Sequence, residues 1–181
     1  MASVQERVIG AMRLQASTFE EVEHDTTATA QAAMIVAAVG VANGLAALLY
    51  GSVTGFVLAV VVQLIGWVIG SAILLVVGTR LFPGKNTEAD LGQLLRTVGF
   101  AEAAGLLGVF GIVPYLGWIF TVVAMVWILI AMVVAVRQAL DYDDTTKAVV
   151  VCVVAWLIML AIQVAATFVG IGAAVVGGGM P

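Results

Sequence analysis

Four side chains stand out in a chain that is 63% apolar and only 10% charged: Arg80, Arg96, Arg137 and Glu102. Each lies within or at the edge of a long apolar stretch. A bare charge is costly there, so such residues are paired, turned inward or drawn out to an interface. Arginine at these positions is suited to gripping anionic headgroups or a partner's carboxylates through several N–H donors. Glu102 follows Arg96 by about one and a half helical turns and falls on a different helix face, so its partner should come from another segment, with Arg80 and Arg137 as candidates. Arg137 and Asp141 are spaced for an i, i+4 pair. The acidic run Glu20-Glu21-Val22-Glu23-His24-Asp25 supplies carboxylates that would orient the arginines. The candidate lipid- or partner-binding set is therefore Arg80, Arg96, Glu102, Arg137, Asp141, Glu20, Glu23 and Asp25. The plainer alternative for the same residues is interface anchoring plus structural pairing.

Other chemistries find little support. His24 is the only histidine and Cys152 the only cysteine, so neither a His-based metal site nor a disulfide within the chain is available. Glu20 to Asp25, and Asp141, Asp143 and Asp144, lack the ordered glycine-containing loop of a calcium site. No G-x-S-x-G, phosphate-binding or dinucleotide fingerprint is present. No metal or cofactor is called for, and an enzyme is not expected. The net charge of −4, with no clustered basic surface, argues against nucleic acid as a partner.

The elements that position these residues follow from where charge is absent. Every charged side chain except Glu102 lies in residues 1–25, 80–96 or 137–147. A chain this short cannot bury so much apolar surface in its own core, so the bilayer must act as its solvent. The uncharged run after Asp25 would make a helix of roughly 75 Å, over twice the hydrocarbon thickness. It must turn back, and Tyr50-Gly51-Ser52 is the break. The same argument divides the stretch after Val98 at Val113-Pro114-Tyr115. The predicted architecture is all-α: a cytoplasmic amphipathic and acidic arm over 1–26, five spans near 27–49, 53–78, 91–113, 115–136 and 147–170, and a glycine-rich tail over 177–181. A four-span arrangement with a re-entrant third segment is the alternative. Val4, Val8, Ile9, Met12 and Leu14 predict one short amphipathic helix lying on the membrane surface or on the bundle. Asp25-Thr26-Thr27 is expected to cap the first span and Asp144 or Thr145 the fifth, with a capping box at Thr87-Glu88-Ala89-Asp90 for the third. All seven Lys and Arg fall on one side of this plan, which predicts a cytoplasmic N-terminus and an outside C-terminus.

Gly40-x-x-x-Gly44, Gly66-x-x-x-Gly70 and Gly105-x-x-Gly108-x-x-Gly111 are spaced for close helix contact within the chain or across a homo-oligomer. Gln31, Asn43, Gln63, Ser71, Thr121 and Gln163 read as polar glue between spans, and Cys152 as a packed thiol.

Several segments together resemble the Yip (Ypt-interacting-protein) family in its bacterial and archaeal branch. They are Phe19-Glu20-Glu21-Val22-Glu23 with Asp25, Ala28-Thr29-Ala30-Gln31-Ala32, Gly78-Thr79-Arg80-Leu81-Phe82, Leu94-Leu95-Arg96-Thr97-Val98-Gly99-Phe100-Ala101 and Ala135-Val136-Arg137-Gln138-Ala139-Leu140-Asp141. The resemblance implies five transmembrane helices and a cytoplasmic N-terminus. Eukaryotic members are associated with Rab GTPases and with traffic between endoplasmic reticulum and Golgi. This chain lacks their long N-terminal region and their D-L-Y-G-P motif, so Rab binding does not carry over.

The expected function is non-enzymatic: membrane organisation or partner scaffolding through the charged cytoplasmic face. Membrane lipids, a protein partner on that face and a second copy of the chain are the expected partners, in a prokaryotic plasma membrane. Transport of a small solute or ion, centred on Glu102, is the first alternative. An accessory subunit of a larger membrane complex is the second.

Overall fold

The structure, a computed structural model, describes residues 2–85, 87–113 and 115–177, with side chains described as far as Phe168. Pro114 and most of the glycine-rich tail lie outside the described residues. Among the described residues seven α-helices follow one another: α1 (Val4–Met12), α2 (Ala16–His24), α3 (Ala28–Leu49), α4 (Val53–Val76), α5 (Leu91–Ala101), α6 (Gly117–Ala139) and α7 (Thr145–Gly177). A π turn, Val77–Leu81, prolongs α4, and a 3-10 helix, Glu102–Ile112, prolongs α5. Among the described residues there is no strand. Five helical segments are long and apolar enough to cross a membrane: Ala28–Leu49, Val53–Leu81, Leu91–Ile112, Gly117–Ala139 and Thr145–Phe168. The chain is an all-α, polytopic integral membrane protein.

The third of these segments is the least apolar and the most buried. It is the pillar of the bundle and packs against α3, α4 and α6. Its winding changes at Glu102, which was not expected. The glycines explain the change. In a 3-10 helix residues three apart eclipse one another, so Glu102, Gly105, Gly108 and Gly111 form a single file along one edge. A Cβ on Gly105 would lie 2.8 Å from Val39 Cγ1, and one on Gly108 would lie 2.7 Å from Asn43 Oδ1. The file of missing side chains therefore lets α3 approach. Tight winding also lengthens the segment. Eleven residues at about 1.5 Å and eleven at about 2.0 Å give roughly 38 Å, enough to span a bilayer.

The ends are set by local chemistry. Ser3 and Glu6 form a reciprocal capping box on α1. Gly51, at φ 76°, makes the turn between α3 and α4, and the Ser52 hydroxyl accepts from Gly55 N at 3.0 Å. The Asp25 carboxylate accepts from Thr27 N at 2.9 Å ahead of α3, and Asp144 accepts from Thr146 N at 2.9 Å at the start of α7. The expected box at Thr87 to Asp90 does not form. Asp90 and Gln93 cap α5 instead, because the Thr87 hydroxyl is occupied: it accepts from Gly84 N at 2.8 Å and donates to Leu140 O at 2.9 Å.

The arm also differs from expectation. It is two helices, and the acidic run is the C-terminal half of α2. The pair takes the second of the two expected positions, on the bundle. Phe19 and Val22 are fully buried, and α2 packs between α5 and α6. The turn at Leu14, at φ 59°, reaches well along the bundle: Trp127, near the middle of α6, donates to Met12 O at 2.8 Å, and α1 touches the 3-10 segment as well as α5. The arm is thus a helical hairpin wedged against two spans, with its open end among the charged residues.

Close packing of α3 on α4 rests on Gly40 and Gly44. A Cβ on Gly40 would meet the Val60 backbone at 2.9 Å, whereas nothing lies within 4 Å of one on Gly66 or Gly70. The Gly66-x-x-x-Gly70 pair therefore makes no such contact within the chain. Gly40→Val is expected to lower stability by roughly 1–3 kcal/mol through overpacking, read as a lower thermal midpoint of the monodisperse purified protein. Gly66→Ala is expected to leave the midpoint unchanged or slightly raised. Equal losses in the two variants would contradict this packing.

Candidate functional site

The eight candidate residues separate into five environments. The first is a pocket of about 450 Å³ at the charged end. Glu20, Glu23 and His24 of α2 face Arg137 in the last turn of α6 and Asp141 and Asp143 of the α6–α7 connection across it, and Gln138 and Tyr142 complete the lining. Four of the eight, Glu20, Glu23, Arg137 and Asp141, meet here. Asp143 was not among the binding candidates chosen from sequence, although its place four residues beyond the end of α6 was a usable signal.

Arg137 does not pair with Asp141. Its guanidinium donates to the backbone carbonyls of Tyr142 at 3.2 Å and Asp143 at 3.3 Å. The i, i+4 rule fails because α6 has ended: Asp141 lies in the left-handed region at φ 49°, which takes its side chain out of helical register. Arg137 therefore folds the connection back over the helix end, where a cation also offsets the negative end of the helix dipole. The pocket is left with four carboxyl groups and one guanidinium already engaged.

The second environment is a brace under the pocket. Arg96 is 7% exposed. Its Nε donates to Val22 O and Glu23 O, both at 3.0 Å, and its Nη2 also donates to Glu23 O. It thus caps the last carbonyls of α2, groups that have no partner inside their own helix. Gln93 Nε2 adds a bond to Glu23 Oε1 at 2.9 Å. Arg96 is thus buried and engaged within the chain, where the sequence reading had it at a headgroup- or partner-facing position.

Asp25 belongs to a third group, centred on a residue that sequence reasoning did not select. Arg7 is 2% exposed and donates to Glu21 at 2.8 Å, Asp25 at 2.6 Å and Gln31 at 3.0 Å. It ties α1 to α2 and to the start of α3. Hydrogen bonds from Thr27 and Arg7 hold the Asp25 carboxyl down at about 2.

Glu102 and Arg80 make up the rest, and they stand apart from each other. Glu102 finds its partner on another span, but that partner is Gln63, whose Nε2 donates at 2.6 Å, and not an arginine. Both residues line a second cavity, of about 460 Å³, between the spans. Arg80 is exposed on the π turn and makes no hydrogen bond or ion pair among the described residues. That turn is held by Tyr142, whose hydroxyl lies 3.0 Å from Gly78 O and 2.8 Å from Phe82 O. Of the expected polar glue, Gln31 and Gln63 do bridge elements. Thr121 bonds back to Gly117 O in its own helix, Ser71 is buried without a partner and Gln163 is exposed. Among the described residues, no three His, Cys, Asp or Glu side chains gather to hold a metal ion.

A five-span helical bundle carrying a docked N-terminal hairpin and a polar pocket at one end defines an all-α integral membrane protein. A family model, the Yip1 domain, matches residues 9–166, and the chain belongs to that family. No curated protein and no solved structure matches it.

The acid-base balance at the pocket makes docking of the arm pH-dependent. Burial, reinforced by Asp141 and Glu20, pushes the Glu23 carboxyl up to about 7 against the opposing pull of His24 and Arg96. A carboxyl raised on docking favours the docked arm below its free range, near 4.5, and that contribution is lost as pH rises through about 7. His24 is raised too, by the Glu20 carbonyl and by Glu23, and acts in the same direction. Asp25 stays ionised throughout this window. Amide exchange over α1 and α2 is therefore expected to be slower at acidic than at alkaline pH after correction for intrinsic rates. Glu23→Gln should remove most of that difference, and an undiminished difference in the variant would refute the assignment.

Proposed function

We propose that the protein is a non-enzymatic membrane scaffold whose charged face docks a basic segment of a partner protein. The observation that carries this reading is the pocket, in which Glu20, Glu23, Asp141 and Asp143 converge while Arg137 is already satisfied by backbone carbonyls. An acid-rich pocket with one engaged guanidinium favours a Lys- or Arg-bearing partner over an anionic headgroup. Arg80, exposed at the interface, remains the residue suited to a lipid phosphate. The distribution of basic residues supports a cytoplasmic location for this face, which gives a cytoplasmic N-terminus and an outside C-terminus. Membership of the Yip1-domain family agrees with a role through protein contacts. The binding set under this proposal is Glu20, Glu23, Asp141 and Asp143, with Arg80 for lipid.

A photo-crosslinking residue at Asp143 is expected to capture a discrete protein in cells. Glu20→Lys with Asp141→Lys should cut that capture about fivefold or more, since like charges across an interface repel. The same crosslinker at Tyr50, exposed at the opposite end, should not capture it. Equal capture at Tyr50, or capture indifferent to the charge reversals, would defeat the proposal. Transport is the second reading, favoured by one observation, the placement of Glu102 in a cavity between spans. Solute or ion flux in liposomes that disappears in Glu102→Gln would select it.

A further inference from the structure

The cavity between the spans has a composition that specifies a ligand, whether or not anything is transported. Its polar lining offers oxygen acceptors and no cationic group. Glu102 contributes a carboxyl group, and Gln63, having given one N–H to Glu102, has its amide oxygen left over. Asn43 and Thr121 add an amide and a hydroxyl. No Lys, Arg or His lines the space, so nothing in it would neutralise an anionic headgroup. The rest of the wall is apolar and adaptable, with methionines on α6 and α7 that fill irregular gaps. The volume, about 460 Å³, is that of a small-molecule site and far larger than a bare ion requires.

The glycine file described above forms one side. Gly105 and Gly108 continue the edge that begins at Glu102, so Glu102 and Gln63 stand together at one end of a backbone trough and Asn43 lies further along it, beside Gly108. The way in is sideways. Met125 and Leu129 on α6 and Trp156 on α7 line the cavity and are also exposed on the outer surface of the bundle. A molecule dissolved in the bilayer can therefore enter between these two helices without crossing water.

We infer that this cavity binds a lipophilic amine, its ammonium group held by Glu102 and the Gln63 amide oxygen and its hydrocarbon body lying along the methionine wall. An ammonium has three N–H donors and no acceptor, which complements these acceptors, and a single half-buried carboxyl, Glu102, with no basic side chain in the lining supplies the counter-charge.

The test uses the full chain in lipid nanodiscs with a long-chain alkylamine carrying a photoreactive diazirine, and dodecylamine, dodecanol, dodecanoate and sodium chloride as competitors. The label is expected on peptides containing Met125, Leu129 or Trp156 and to be displaced by dodecylamine well before dodecanol or dodecanoate. Glu102→Gln should weaken displacement by roughly tenfold or more, the loss of one charge-assisted contact in an apolar site. Gly70→Leu should abolish labelling by filling the cavity. Gly70 lines it, and nothing lies within 4 Å of a Cβ added there, so this variant should fold and give a normal thermal midpoint. Several outcomes would overturn the inference: dodecanol competing as well as dodecylamine, Glu102→Gln behaving as wild type, a folded Gly70→Leu still being labelled, or label scattered over the lipid-facing helices. Displacement by sodium at millimolar concentration would overturn it in favour of an inorganic cation.

Discussion

A guanidinium buried in an apolar bundle must find oxygen acceptors, and the charged end of this molecule is organised around two of them. Arg96 projects from the central pillar and takes the carbonyls that α2 leaves open at its C-terminus. Arg7 projects from α1 and takes Glu21, Asp25 and Gln31. Neither demand could be met by one surface-lying helix. A second helix, turned back so that its C-terminus meets Arg96, satisfies both. The wedge-like hairpin, the burial of Phe19 and Val22, and the approach of α2 to the α6–α7 connection follow from that requirement. Removing one partner of such an arrangement leaves an uncompensated buried charge, which costs far more than the net worth of the contact.

The central pillar then serves two environments in succession. Its α-helical half, through Gln93 and Arg96, holds the arm and with it one wall of the acid-rich pocket. Its 3-10 half carries Glu102 and the glycine file into the cavity between the spans. Both polar sites are therefore built on the most buried helix of the bundle, the one least able to shift without moving its neighbours.

Much of this architecture was legible in the sequence, and the limits are instructive. The alternation of charged segments with apolar runs gives the five-span, all-α plan because hydrocarbon admits little else. Residue roles at the charged end were less accessible, because the decisive partners are backbone carbonyls. Nothing in the spacing of Arg96 reveals that Val22 and Glu23 will present their carbonyls to it, and the i, i+4 rule misassigned Arg137 because it presumes a helix that continues through Asp141. Arg7 sits on the arm's buried face with Gly10 and Ala11, a face that single-helix periodicity could not define. Two signals were present and undervalued. Asp90 and Gln93 have capping-box spacing, and three glycines at intervals of three match the 3-10 period better than the α period.

That period has a mechanical corollary. A 3-10 helix is longer than an α-helix of the same residues, by about 5 Å over eleven residues, and turns about 20° further at each one. Rewinding Glu102–Ile112 as α-helix would draw its two ends together and spread the file of Glu102, Gly105, Gly108 and Gly111 into a spiral. The direction in which the Glu102 carboxyl is displayed and the distance between the two membrane surfaces at this helix are therefore a single variable. The length of this helix and the shape of the cavity wall it forms are set together by one choice of winding.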